Sequence, residues 1–314
     1  MIRLLHTPSV VSALLCALFA GSFPVCAASA ETGGAIAPRS ADPTSVHLLR
    51  SAFRDDLVYV KVSLNGSPEA WMELDTGTTP SIVVASQAHA AGVQLVSQGK
   101  TTEGFGSEKI ETSSASGVSV RTGNERAREI EFDSIEVPGM ADPEGHPLSG
   151  LLGHSFLEGK IVVIDYPNEK LFFRDTPEER GAIDVPMRIV NGLPLVRIAL
   201  DGHELSALID SGGDYGLLVT PMALKQAGLE QYLESTHKVG TSGHGGQHAA
   251  VVGAAPVLTV GHLVVHDLTA VYTTLGTVTL PAGASLGKDF LKHYRVTLDY
   301  ASGTARFEPS QPGR

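Results

Sequence analysis

Cysteine is almost missing from this chain. Its 314 residues include two, Cys16 and Cys26, and both fall in an N-terminal segment with the parts of a secretory signal. Those parts are Arg3, the apolar run 10–20, and Ala28-Ser29-Ala30 in the small-x-small arrangement that a signal peptidase accepts. Cleavage after Ala30 leaves no thiol, which excludes cysteine catalysis, disulfides and thiolate metal sites. Phe23-Pro24-Val25 lacks the Leu and small residues of a lipobox, which argues against a lipid on Cys26. Long hydrophobic runs are missing too. The run 10–20 is too short to cross a bilayer, so the expectation is an exported chain, periplasmic or secreted, with no stable membrane span after signal cleavage. Basic charge is scarce. Beyond residue 30 there are 22 Lys and Arg against 34 Asp and Glu, a formal charge of −12, which repels nucleic acid and anionic membrane and permits a soluble partner.

What the chain does have is the material of a folded protein, 42% hydrophobic and 18% charged residues, and enough length for two domains. It also repeats itself. "VYVKVSLNGSPEAWMELDTG" has a counterpart in "PLVRIALDGHELSALIDSG". Each is an alternating strand, a two-residue turn at Asn65-Gly66 or Asp201-Gly202, and a second strand ending on Asp. A short helical pattern ending in Ala-Gly follows each, near residues 90 and 225, the latter opening with Thr220-Pro221 as N-cap and first helical residue. "GLLGHSFL" then matches "ASLGKDFL", and "IVVIDYPNEKLFF" matches "RVTLDYASGTARF". The shift is 135 residues from Asp75 to Asp210 and 134 from both Gly153 to Gly287 and Asp165 to Asp299. A nearly constant shift over four elements means two copies of one mainly β unit. The expected organisation is a signal peptide over 1–30, a disordered lead-in over 31–50, lobes over 51–175 and 186–308, a charged linker over 176–185, and a tail over 309–314.

Each copy ends a strand on an Asp followed by a sharp turn, Asp75-Thr76-Gly77 and Asp210-Ser211-Gly212. If the copies pack about a pseudo-two-fold axis, the two loops meet there and bring the carboxylates face to face. Two carboxylates at hydrogen-bond range cannot both ionise, so they share one proton over a wide acidic range. Such a pair serves as base and acid at once, the ionised Asp activating a water while the protonated one polarises a carbonyl, with no metal or cofactor. The hydroxyls of Thr76 and Ser211 can bond the backbone of the opposite loop. Gly77 and Gly212 permit the turn and let backbone N–H groups approach the carboxylates.

Leu74-Asp75-Thr76-Gly77, Ile209-Asp210-Ser211-Gly212, and the steps Leu151-Leu152-Gly153 and Ser285-Leu286-Gly287 resemble the retropepsin-like aspartic peptidases, in the bacterial two-lobed form with both halves in one chain. The resemblance covers residues 58–307. It implies a mainly β, bilobal acid-protease fold with about one short helix per lobe. It also implies an aspartic endopeptidase acting on a peptide or protein substrate, with Asp75 and Asp210 catalytic and no homodimer needed to build the site. The Gly steps should pass beneath the catalytic loops. The family also implies a Gly-rich flap, for which the candidates are Gly104-Phe105-Gly106, beginning 29 residues after Asp75, and Gly240, Gly243 and His244, the first 30 residues after Asp210. The reading from another class is a non-catalytic exported peptide-binding protein on the same fold.

Some residues depart from the family pattern. Gly213 stands where a small Ala, Ser or Thr usually follows the tripeptide, Asp214 adds a third acid, Ser285 is polar at an apolar position, and neither flap carries a Tyr. Other features read as structural. His244 and His248 have the spacing of a metal pair but lie in a Gly-rich loop with no adjacent Glu. His262 and His266 should share a solvated strand face. Asp165 and Asp299 read as turn residues, and Asn65-Gly66-Ser67, a glycosylation sequon, as a hairpin turn.

Overall fold

The computed structural model describes residues 12–13, 46–103, 109–136, 139–178, 183–234, 238–243, 246–273 and 282–309. The N-terminal lobe is a sheet of eight strands in the order Ser51–Arg54, Leu57–Leu64, Ala70–Leu74, Gly150–Leu152, Ser81–Val84, Glu125–Ile135, Lys109–Thr122 and Val96–Glu103. It closes where Ser63 and Leu64 pair with Arg121 and Val120. The C-terminal lobe repeats that order. Leu193–Leu200, His203–Ile209, Ala284–Leu286, Leu217–Val219, Leu263–Thr273, Gly246–Val260 and Lys238–Gly243 lie side by side, and Leu193–Leu200 pairs back onto Gly246–Val260. Two copies of one strand order are what the duplication predicts.

The lobes are joined by a third set of pairings. Asp184–Val190, Thr304–Pro309, Tyr294–Asp299, Ile161–Asp165, Lys170–Arg174 and Val46–Leu48 run antiparallel in that order. All five residues of Ile161–Asp165 are buried, which is why "IVVI" runs without polar alternation up to Asp165 at the turn. Val46–Leu48 lies inside the predicted lead-in, and the predicted linker gives up its last two residues to Asp184–Val190. Both are strands because the open edges of the joining hairpins supply partners for their backbone groups. The linker is also fastened: Glu178 accepts bonds from Arg174, Arg295 and Arg306. One apolar core runs through both lobes, from Val58 and Leu152 to Phe290 and Phe307. Ser12–Ala13, within the predicted signal segment, pairs in parallel with Ser242 and Gly243.

The local signals hold with two adjustments. Asp201 and Gly202 both take positive φ, +47° and +82°, in a two-residue hairpin closed by the Leu200 and His203 pair. Asn65 and Gly66 take the same conformation, and Ser67 N–H donates to Leu64 O at 2.8 Å. There, however, the ladder resumes only at the Val62 and Ala70 pair, because Pro68 has no N–H to give it. Asn65 is also held by its side chain, to Ser119 N and Gly92 O. The helix Pro221–Ala227 starts as expected, with Thr220 Oγ1 accepting from Ala223 N at 3.2 Å, and ends on Gly228 at φ +70°. Ala85–Ala88 is its short counterpart. Each lobe carries one further short helix, His154–Leu157 and Lys288–Leu291, too brief for an apolar period to mark.

Candidate active site

The strands Ala70–Leu74 and His203–Ile209 end at the interface between the lobes, and the loops after them interlock. Thr76 Oγ1 donates to Ile209 O at 2.7 Å and accepts from Ser211 N at 3.0 Å. Reciprocally, Ser211 Oγ donates to Leu74 O at 2.7 Å and accepts from Thr76 N at 3.0 Å. All of these groups are buried, so each loop satisfies polar atoms that the other would leave stranded. The arrangement places Asp75 and Asp210, themselves 0% and 1% exposed, at one point between the lobes.

Each loop also cradles its own carboxylate. Gly77 N donates to Asp75 Oδ1 at 2.9 Å, and Gly212 N to Asp210 Oδ1 at 3.2 Å. Below each loop runs the Gly step. Asp75 N donates to Leu152 O at 3.1 Å and Asp210 N to Leu286 O at 2.9 Å, as Leu152 pairs with Leu74 and Leu286 with Ile209 in parallel. A Cβ on Gly153 would sit 2.3 Å from Thr78 O, and one on Gly287 2.3 Å from Tyr215 O. Only a residue without a side chain lets the strand pass under the loop.

Burial pushes both carboxyls up. Asp75 rises to about 7, its loss of water outweighing the bonds from Thr78 and Gly77. Asp210 rises well above the ordinary range, through the same burial and then the charge of Asp75. Both carboxyls therefore hold their protons above the usual carboxylate range.

The three departures in the second copy form a connected arrangement. Gly213 is the counterpart of Thr78. Thr78 Oγ1 donates to Asp75 Oδ2, whereas Gly213 has only its backbone N–H to offer Asp210, and the hydroxyl that reaches Asp210 Oδ2, at 2.5 Å, is that of Tyr215. Ser285, buried, lies 2.9 Å from the same hydroxyl. Asp214 turns away to pair with Lys288 at 2.8 Å, and Lys288 Nζ donates to Asp55 O in the opposite lobe. Tyr215 went unmarked in sequence; the signal for it was the missing Cβ at Gly213.

A second residue missed by the motifs is Glu73. It is 1% exposed and lies two positions before Asp75, on the same face of the strand. Its Oε2 has no hydrogen-bond partner among the described residues. Burial, with Asp75 and Asp210 adding to it, pushes its pKa far upward, so the group stays neutral. Its counterpart in the second copy is Leu208.

The flap candidates Gly104, Phe105, Gly106 and His244 lie outside the described residues. Their arms are described: Val96–Glu103 pairs with Lys109–Thr122, and Lys238–Gly243, which holds Gly240 and Gly243, with Gly246–Val260. His248 lies in the second of these arms. His262 is in the turn before Leu263–Thr273 rather than in the strand, and both it and His266 are exposed. Asp165 and Asp299 are turn residues, accepting from Asn168 N and from Ala301 N and Ser302 N. Buried Asp142 clusters with exposed Glu144 and His146, but Asp142 Oδ1 already accepts two backbone N–H groups and Glu144 accepts from Trp71 Nε1.

Two like-built barrels, each offering one Asp-[Thr/Ser]-Gly loop to a common point, define a bilobal acid-protease fold. The aspartyl protease family matches the chain twice, over residues 60–156 and 196–290, and the chain belongs to that family. Among solved structures, basic 7S globulin from soybean is similar with a TM-score of 0.47 at 12% identity, over 86% of this chain and 96% of that one. No curated protein matches the sequence.

Proposed function

We propose that the protein is an exported aspartic endopeptidase, with Asp75 and Asp210 as its catalytic pair. The observation that carries this reading is the burial of both carboxyls at one point, locked there by the reciprocal Thr76 and Ser211 bonds. Burying two acids together costs several kcal/mol, roughly, and a protein that merely binds peptides gains nothing from it.

With one proton shared, the ionised carboxylate removes a proton from a water held between the two groups. The protonated carboxyl donates to the scissile carbonyl oxygen. The new C–O bond yields a tetrahedral diol, and return of a proton to the amide nitrogen lets the C–N bond break. The pair ends as it began, with one proton, and forms no covalent intermediate. The raised pKa values move the singly protonated form up toward neutral pH. Residues 1–30 support export, to the periplasm or beyond.

The test is cleavage of a diverse peptide library by the chain lacking residues 1–30, between about pH 3 and 9, beside Asp75→Asn and Asp210→Asn. Cuts lost in both variants, with folding intact, are the expected result. An unmutated protein that cuts nothing would favour the peptide-binding alternative, and cuts that persist in either variant would remove that Asp from the assignment.

A further inference from the structure

We infer that Tyr215 is a positioning residue for the second half of the pair: its phenol supplies to Asp210 the hydroxyl that Thr78 supplies to Asp75. The inference rests on the reading of Asp75 and Asp210 as an acid–base pair. Its evidence is the comparison of the two copies within one chain. In each, one carboxylate oxygen, Oδ1, takes a backbone N–H from the Gly two residues on. The other, Oδ2, takes a hydroxyl. Asp210 takes the Gly213 backbone N–H as well, but the hydroxyl role is the same, filled from three residues downstream in one copy and from five in the other.

Gly213 is what makes the exchange possible. A Cβ there would lie 2.6 Å from Tyr215 Cζ, 2.7 Å from its oxygen and 2.9 Å from Asp210 Oδ2. The space that the Thr78 side chain fills in the first lobe is filled in the second by the Tyr215 hydroxyl and ring edge. Ser285 completes the arrangement. Where the first copy has Leu151, the second has a buried hydroxyl 2.9 Å from the phenol oxygen. When Tyr215 donates to Asp210, Ser285 donates to Tyr215, so both hydroxyls are satisfied. Gly213, Tyr215 and Ser285 are thus one compensating set.

The exchange has a chemical consequence. A phenol is a far stronger acid than the hydroxyl of Thr, so it bonds a carboxylate more strongly. The two halves of the pair are therefore unequal, and the ionised form of Asp210 receives the stronger donor. The other titratable groups around the pair are Glu73, Tyr166 and Tyr300, all buried, with Lys288 and Asp214 paired beside the loop. None of them donates to Asp210 Oδ2 among the described residues.

The experiment uses the chain without residues 1–30. Tyr215→Phe keeps the ring and removes the donor. The expected result is a fall in kcat of about ten- to a hundred-fold, with the acid limb of kcat/KM moved up by about one pH unit, because the singly ionised pair loses a bond. Substituting 3-fluorotyrosine at position 215, a more acidic phenol, should move that limb down. Tyr215→Ala with Gly213→Thr, which restores a Thr78-like donor, should recover activity relative to Tyr215→Ala alone. An acid limb that stays put in both Tyr215→Phe and the fluorotyrosine protein would overturn the inference; if Tyr215→Phe fails to fold, the fluorotyrosine protein decides alone. If the unmutated chain cleaves nothing, the peptidase reading fails separately. The same variants are then read by carbon-13 titration of the Asp carboxyls, where an unmoved first ionisation of the pair overturns the role of Tyr215 and an upward shift in Tyr215→Phe supports it.

Discussion

Val163 lies opposite Thr297 in the sheet that joins the lobes, and the two residues are each other's counterparts, 134 positions apart. The pairs on either side exchange accordingly: Ile161 faces Asp299, and Asp165 faces Arg295. The pseudo-two-fold axis of the molecule therefore passes between Val163 and Thr297. Any residue that one copy places on that axis meets its own counterpart, which is why two unremarkable Asp-Gly turns become one site.

The interlocked loops should behave as a unit. Thr76→Ala strands Ser211 N and Ile209 O, and Ser211→Ala strands Thr76 N and Leu74 O. Each should cost about 2–4 kcal/mol in urea unfolding. The double variant should cost clearly less than the two together, because either change alone already opens the lock. Additive losses would show that the four bonds act independently.

The Gly steps allow no side chain. Gly153→Ala and Gly287→Ala each press a Cβ to 2.3 Å from a backbone oxygen of the loop above, which that loop can relieve only by moving its Asp. Losses of about 1–3 kcal/mol or more are expected, with catalysis falling further than stability alone explains. Thermal unfolding and kcat measured on the same samples check this. Unchanged values for either would mean that the loop has slack.

Stability should depend on pH through the buried acids. Asp75, Asp210 and Glu73 all have folded-state pKa values above their unfolded ones. The folded chain thus keeps protons that the unfolded chain releases as pH rises above about 4. Stability from these groups is full below that value and declines as pH climbs toward about 7, where Asp75 ionises in the fold. Each differential proton contributes a slope of about 1.4 kcal/mol per pH unit. Unfolding midpoints of the unmutated chain and Asp75→Asn compared at pH 4.5 and 7.5 test the sign: the fall in stability with rising pH should be flatter in the variant, and an equal or steeper fall would contradict the prediction.

Glu73→Leu copies the residue that the second lobe carries at the same place. It removes a buried carboxyl without a partner for Oε2, and should stabilise the protein at pH 7 by about 1–3 kcal/mol, with less gain at pH 4.5. A destabilised variant at both pH values would mean that the site does not tolerate the branched side chain.

Much of this was open to reading along the chain. The pairing of Asp75 with Asp210, the Gly steps, the Asp201-Gly202 hairpin and the helix capped by Thr220 are all local patterns, and the duplication multiplied their weight because each occurs twice at one shift. Val46–Leu48 was hidden because three residues carry too little period to announce a strand; it is a strand because Lys170–Arg174 offers it an edge. Glu73 was hidden for the opposite reason: an acid alternating with Met72 and Leu74 along a strand looks like an ordinary polar position until burial on both sides is known.

What the amino-acid sequence determined by itself was a repeated β unit and two carboxylates at equivalent places, since periodicity, turn chemistry and repetition are properties of a chain. Tertiary structure alone decided which hydroxyl each carboxylate receives. Gly213 reads as a loss until the fold brings Tyr215 and Ser285 into the space that its missing Cβ leaves, because a hydrogen bond depends on distance and direction in space, and spacing along the chain records neither.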